Sequence, residues 1–382
     1  MPVSRRSFVS SLGLGGAGLL VAPGGGLGAR GREAELLERI AGTAPHAQHG
    51  LIRLDSNENP SGPSARALEA LRGMLGEACR YPDANEPALV AAIAAHHGVT
   101  PQHVLLGAGS GEILRLCVEA LTSTTRHLVT ASPTFEPPGE FARTLGRRVA
   151  SVPVDAQLRL DVDGMAAASA EAGLVFFCNP NNPTGTVHDA ATVRDFVARI
   201  RRSSPDTTVL VDEAYHEYVE DPAYATAVPL AVDDPRVIVS RTFSKVFGMA
   251  GLRCGYAIAH PDTVRRLQPW RLGAGVNVLA LAAATASVND AAHVRAQQEE
   301  NRRAKALTRA FFEQAGYTVG ASHTNFLMID LRRDPQPFRV ACRANGVAVG
   351  RPFPPLDTWL RVSIGTTDEM RRATAVFRRL LA

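Results

Sequence analysis

The chain has 382 residues, 45% of them hydrophobic and 20% charged, and a net charge of +4, which excludes a disordered or fibrous protein and leaves room for a sizeable core. Of its 41 basic residues only Lys245 and Lys305 are lysines, and the arginines are scattered, so nucleic acid is not expected as a partner. The five cysteines (Cys79, Cys117, Cys178, Cys254 and Cys342) are odd in number and lack a C-x-x-C pair, so they read as reduced core residues with no zinc or other metal centre.

Taken in chain order, "SRRSFVSSLGLGGAGLLVAP" places Arg5 and Arg6 ahead of an apolar stretch too short and Gly-rich for a stable membrane span. The arrangement resembles a twin-arginine export signal over residues 1–30, which implies a periplasmic or exported protein; a disordered arginine-bearing tail of a cytoplasmic protein is the alternative. Residues 32–46 have the pattern of a polar helix, "LDSNENPSGPS" (54–64) that of a loop, and apolar spacing predicts helices over 64–79 and 86–97. From residue 103 short apolar runs alternate with helical patterns: "VLLG", "HLVTA", "LVFFC", "TVLVDE", "RVIVSRT" and "GYAIA". That alternation predicts an α/β domain over 76–285 with a largely parallel sheet buried on both faces. Beyond it come a polar helix (291–314), a strand "NFLMIDL" and a helix opened by a Thr366/Glu369 capping box, with Met370, Ala373, Phe377, Leu380 and Leu381 on one face. Residues 286–382, joined by the segment 31–75, an N-terminal arm and part of the same unit, are expected to make a smaller domain.

Four stretches carry chemistry. "GAGSGEIL" (107–114) follows a strand and opens a helix, where backbone N–H groups favour a phosphate; alone, it equally fits a tight turn without a ligand. It is neither a dinucleotide fingerprint, since the third glycine comes one residue early and no ribose-binding acid follows, nor a serine-hydrolase elbow. "CNPNNPTGT" (178–186) is a stiff loop suited to holding Asn182 at a fixed point, or a rigid turn only. "VLVDEAYHEY" (209–218) ends a strand on Asp212, with Tyr215 three residues on; a buried Asp212 needs a cation, such as a protonated ring nitrogen, unless it merely caps a helix. Lys245, in "TFSKVFGMAGLRCGY", follows the next strand, and an amine can attack a carbonyl to form an imine where guanidinium cannot. Thr242, Ser244 and Arg253 around it are phosphate ligands by type. Together these stretches describe a pyridoxal phosphate site.

The motifs "NENP", "YPD", "NPNNPTG", "DEAY", "SKVFGMAGLRCGY" and "LRVSIG" are jointly specific, and over residues 50–380 the sequence resembles the fold-type I pyridoxal-phosphate aminotransferases, histidinol-phosphate aminotransferase branch. The resemblance implies a large domain with a mostly parallel sheet flanked by helices plus a smaller α+β domain, and the cofactor pyridoxal 5'-phosphate. It implies that Lys245 forms the imine with the cofactor and shuttles a proton, that Asp212 holds the pyridine nitrogen protonated, and that Tyr215 and Asn182 bond the phenolate oxygen. It places Gly109, Ser110, Gly111, Thr242, Ser244 and Arg253 around the phosphate, with Tyr81 from a second subunit of a homodimer, and Phe135 on the ring. Asn57 belongs with the substrate contacts; Arg361, assisted by Asn325, takes a substrate carboxylate, and Arg351 the substrate's distal end.

The chain departs from the family at Ser61, where many relatives carry an aromatic residue, and at Phe135, which lacks the usual tyrosine hydroxyl. These departures leave the amino donor and oxo acceptor open, histidinol phosphate included. The expected reaction is amino-group transfer between an amino acid, or an amino alcohol phosphate, and a 2-oxo acid. The rivals are a decarboxylase, lyase or cyclase on the same scaffold, and an exported binding protein with a degenerate site.

Overall fold

The computed structural model describes residues 50–381; the export motif at Arg5 and Arg6 and the polar helix expected over 32–46 lie outside them. After a short strand, β1 (Ile52–Leu54), seven strands form one sheet: β2 (Val104–Gly107), β3 (His127–Ser132), β4 (Val149–Pro153), β5 (Ala172–Cys178), β6 (Thr208–Asp212), β7 (Val237–Thr242) and β8 (Gly255–Ala259). Their order is β2-β8-β7-β6-β5-β3-β4. All neighbours from β7 to β4 run parallel, and β8 alone is antiparallel to both of its neighbours.

The apolar runs sort by alternation onto two buried faces, as a sheet covered by helices on both sides requires. Leu174 and Phe176 join Leu210 and Ile238 on one face, while Val175 and Phe177 join Val209, Val211 and Val239 on the other. Register pairs Cys178 with Asp212 and Asp212 with Ser240. The carboxyl ends of β2, β3, β5, β6 and β7 and the start of β8 therefore share one edge, where ligands of open α/β sheets bind.

A second core lies under three antiparallel strands in the order β12-β10-β9: β9 (Thr318–Val319), β10 (Phe326–Asp330) and β12 (Trp359–Ser363), with β11 (Val347–Val349) pairing parallel to β1. Helices Ala291–Gln314, Gln336–Ala344 and Thr367–Leu381 cover it. The capping box forms as expected: Thr366 N–H donates to Glu369 Oε2 (2.9 Å), and Glu369 N–H to Thr366 Oγ1 (3.2 Å).

Three expectations are corrected. The helix predicted over 64–79 ends at Gly73 and gives way to a single 3-10 turn, Leu75–Glu77, because Gly73 and Gly76 weaken helix continuation. Residues 64–75, expected with the smaller domain, instead pack Ala67 and Leu71 into the core of the large sheet. Cys79, expected in the core, is exposed on the turn that follows, whereas the other four cysteines are buried.

Phe377 is fully buried, with its ring centroid 5.6 Å from that of Phe312 and 5.7 Å from that of Phe338. Phe377→Ala is expected to destabilise the protein by about 3–5 kcal/mol, seen as a lower midpoint in thermal or denaturant unfolding.

Candidate active site

The shared edge encloses a cavity of about 450 Å³ lined by residues from every loop that leaves it. At the end of β2 the chain turns through Gly109, at φ 79°, into helix Ser110–Leu121, and no side chain caps that helix start. A Cβ on Gly109 would collide with Arg253 Nη2, and the positive φ disfavours any other residue, so glycine lets the guanidinium approach this turn. Arg253 donates through Nη1 to Ser244 Oγ (3.3 Å) and to the Ala250 carbonyl (2.9 Å), and Thr242 Oγ1 accepts from Ser244 N–H (3.0 Å). Ser110, Gly111, Thr242, Ser244 and Arg253 thus surround one end of the cavity with N–H and O–H donors and a cation, a cradle for a phosphate.

In the middle of the cavity lies Asp212, 3% exposed. Its Oδ1 accepts from Ser240 Oγ (2.5 Å), Cys178 Sγ stands 3.9 Å from Oδ2, and among the described residues no cation pairs with it. Burial pushes its pKa up to about 6, against the opposing Ser240 hydrogen bond. The next residue, Glu213, points to the opposite face and is neutralised there by Arg241, which is itself buried (Nη2 to Oε2 2.7 Å). Asp212 alone is left with its charge uncompensated.

Tyr215, 2% exposed, accepts a hydrogen bond at its hydroxyl from Asn57 Nδ2 (3.1 Å), and burial raises its pKa. Lys245 donates through Nζ to the Asn57 carbonyl (3.1 Å) and stands 5.4 Å from the Tyr215 ring centroid. Burial, reinforced by the Arg361 charge, lowers its pKa to about 8, which makes the neutral, nucleophilic amine accessible near neutral pH.

Arg361, on β12, is 7% exposed; its Nη1 donates to Asn182 Oδ1 (2.8 Å), its Nη2 to the Asp55 carbonyl (2.9 Å), and its buried Nε has no partner. Arg351, Phe135 and Asn57 also line the cavity. Asn325 does not: its Nδ2 donates to the carbonyls of Asn57 (3.0 Å) and Glu58 (3.2 Å), so the amide beside Arg361 is that of Asn182. Tyr81 lies outside the cavity, 83% exposed, and Ser61 is outside as well. Sequence reasoning missed Ser240, Glu136 and Phe353, since a mid-strand serine and isolated loop residues carry no pattern.

The donors suit pyridoxal phosphate: an anion cradle, a buried carboxylate in need of a cation, a depressed-pKa lysine, and an aromatic ring, Phe135, beside them. The class I and II aminotransferase model matches residues 49–377. The chain belongs to that family. This aminotransferase is 37% identical to the histidinol-phosphate aminotransferase of Moorella thermoacetica over 87% of its own length and 86% of the relative's. A second such relative, from Symbiobacterium thermophilum, is also 37% identical, over 85% of this chain and 89% of the other. Its fold superposes with a TM-score of 0.80 on the histidinol-phosphate aminotransferase of Sinorhizobium meliloti solved with pyridoxal-5'-phosphate, at 27% identity, covering 91% and 94% of the two chains. The aminotransferase is accordingly a pyridoxal-phosphate enzyme.

In the cofactor-free aminotransferase, the rate at which Lys245 condenses with a small aldehyde is expected to rise through about pH 8 and level off above it, because only the neutral amine attacks. The Asp212 anion favours the charged amine, so Asp212→Asn should move that rise to lower pH. Imine absorbance followed against pH, with Lys245→Arg as the blank, checks both; a rise only in the ordinary lysine range would contradict the assignment.

Proposed function

We propose that the enzyme moves an amino group between an anionic amino donor and a 2-oxo acid in two half-reactions at one site, with Arg361 as the anchor for the substrate's anion. The observation that carries this is a buried guanidinium facing the cavity with no carboxylate of its own among the described residues and an unpartnered Nε. Burial lowers its pKa to about 10, so it stays charged, and a carboxylate or phosphate on the ligand would supply the missing counterion.

Bound pyridoxal phosphate supplies an electrophilic carbon and a ring that accommodates negative charge at the substrate's Cα. The chain's residues do the rest. Ser110, Gly111, Thr242, Ser244 and Arg253 hold the phosphate, and Asp212 keeps the ring nitrogen protonated, gaining the cation it otherwise lacks. Tyr215, through its O–H, and Asn182, whose Nδ2 makes no hydrogen bond among the described residues, serve the phenolate oxygen, with Phe135 against the ring. Lys245 would hold the cofactor covalently and, as a free amine, would be the base that takes and returns the proton at the substrate's Cα.

The same reading includes a homodimer in which Tyr81 reaches the partner's phosphate. Tyr81 stands exposed with Leu75, Trp270 and Leu272, and the Arg271–Glu86 ion pair ties the segment bearing Trp270 and Leu272 to the one that follows Tyr81. The relatives' names favour histidinol phosphate among the donors, while Phe135 in place of tyrosine favours an amino acid. The N-terminal motif adds export of the folded protein to the reading.

A panel of amino donors that includes histidinol phosphate, with 2-oxoglutarate as acceptor, is expected to give turnover only with donors bearing a carboxylate or phosphate. Arg361→Met should lower kcat/KM for them by roughly 10- to 100-fold, and Lys245→Arg should abolish both turnover and the visible band of the lysine-bound cofactor. Equal turnover of uncharged amines would refute the anchor. Replacement of Arg5 and Arg6 by lysine is expected to retain the protein in the cytoplasm on cell fractionation, and an unchanged distribution would refute export by this signal.

A further inference from the structure

Besides Lys245, Arg253 and Asp212, the cavity is lined by two further cations and three further carboxylates: Arg351 and Arg361, with Glu58, Glu136 and Glu140. The two arginines differ. Arg361 is buried without a carboxylate, whereas Arg351 is 46% exposed and its Nη2 is held by Glu136, also 46% exposed. Glu136 immediately precedes helix Pro137–Thr144, and Arg351 lies between β11 and β12, so the pair bridges two distant parts of the chain at the rim of the cavity. Both guanidinium groups stand over one ring, Phe353, at 4.3 Å for Arg351 and 4.6 Å for Arg361. Their separation cannot exceed those two distances end to end, which a short diacid can bridge. Glu136 has no task in amino-group transfer, and a carboxylate resting on a cation next to an anion site competes with any anion that arrives there.

We propose that Glu136 is a displaceable counterion that sets how strongly the enzyme prefers ligands with two anionic groups over ligands with one. The inference rests on Arg361 as the anchor of the first anion. A ligand with a single carboxylate occupies Arg361 and leaves the Glu136–Arg351 pair closed. A ligand with a second carboxylate, or a phosphate, takes Arg351 from Glu136, which turns to water at little cost because an ion pair this exposed is screened and holds weakly. The displaced carboxylate, with Glu140 one turn further along the same helix, then repels the incoming charge, so the native pair limits the advantage of the second anion. Glu136→Gln keeps the shape and removes the competitor.

Dissociation constants of glutarate and its monoamide, glutaramate, measured on the cofactor-loaded enzyme through the visible cofactor band, test this without turnover. Glu136→Gln is expected to tighten glutarate by about fivefold and to change glutaramate by less than about twofold. In an Arg351→Met background the same substitution should leave the ratio of the two constants unchanged. Equal effects on both ligands, no effect on either, or a shifted ratio that persists without Arg351 would each overturn the proposal. Arg361→Met separates the underlying reading: loss of binding of both ligands supports the anchor, and unchanged binding of both removes the anchor and the proposal that rests on it.

Discussion

Asp212 leaves β6 with its carboxylate buried, one short hydrogen bond from Ser240, and no cation in contact among the described residues. Taking a carboxylate out of water without a partner is costly enough to push its pKa up to about 6, so the folded chain holds an acid poised between its two protonation states. The arrangement around it keeps that imbalance local. Parallel pairing of β5, β6 and β7 brings Cys178, Asp212 and Ser240 level at one edge, and alternation sends Glu213 and Arg241 to the far face, where they neutralise each other. A protonated ring nitrogen would supply the cation that Asp212 lacks, so the buried charge favours an aromatic ligand that carries a cation at this point.

Asn57 joins the two cores to this edge. It has a left-handed backbone, φ 54°, a conformation asparagine tolerates better than most residues, and every polar group it owns is used. Its N–H donates to Ser363 Oγ (2.9 Å) and its Oδ1 accepts from the same hydroxyl (2.7 Å), while its Nδ2 reaches Tyr215 and its carbonyl receives Lys245 and Asn325. One residue thus ties β12 to the loops after β6 and β7, and it fixes where Arg361, two residues before Ser363, meets Asn182.

Much of this was legible in the sequence, for physical reasons that can be named. Unbroken apolar runs such as "LVFFC" announce strands buried on both faces, and the Thr366–Glu369 spacing announces a helix start, because each requirement falls on consecutive residues. Lys245 was legible through chemistry, since only an amine meets the covalent requirement. Strand β4 was not, because "VASVP" lies at the edge of the sheet, half covered, and carries neither an apolar run nor a clean alternation. The antiparallel direction of β8 leaves no mark on "GYAIA". The resemblance puts Asn325 with the substrate, but the approach of residues 57 and 58 claims its amide first, a contact that spans 268 residues. The Glu136–Arg351 pair was unreadable for the same reason.

The second lysine has a consequence for the cofactor as a reagent. Lys305 is 8% exposed, its Nζ bonded to the carbonyls of Ser322 (3.2 Å) and Thr324 (3.3 Å), and burial lowers its pKa. Every other basic side chain of Lys/Arg type is a guanidinium, inert toward aldehydes under conditions where amines condense. Pyridoxal phosphate is an aldehyde that modifies exposed lysines on proteins indiscriminately. On this chain no lysine is offered on the surface to form such an imine, since Lys245 lines the cavity and Lys305 is buried against backbone carbonyls, so the scarcity of surface amines favours imine formation at the site.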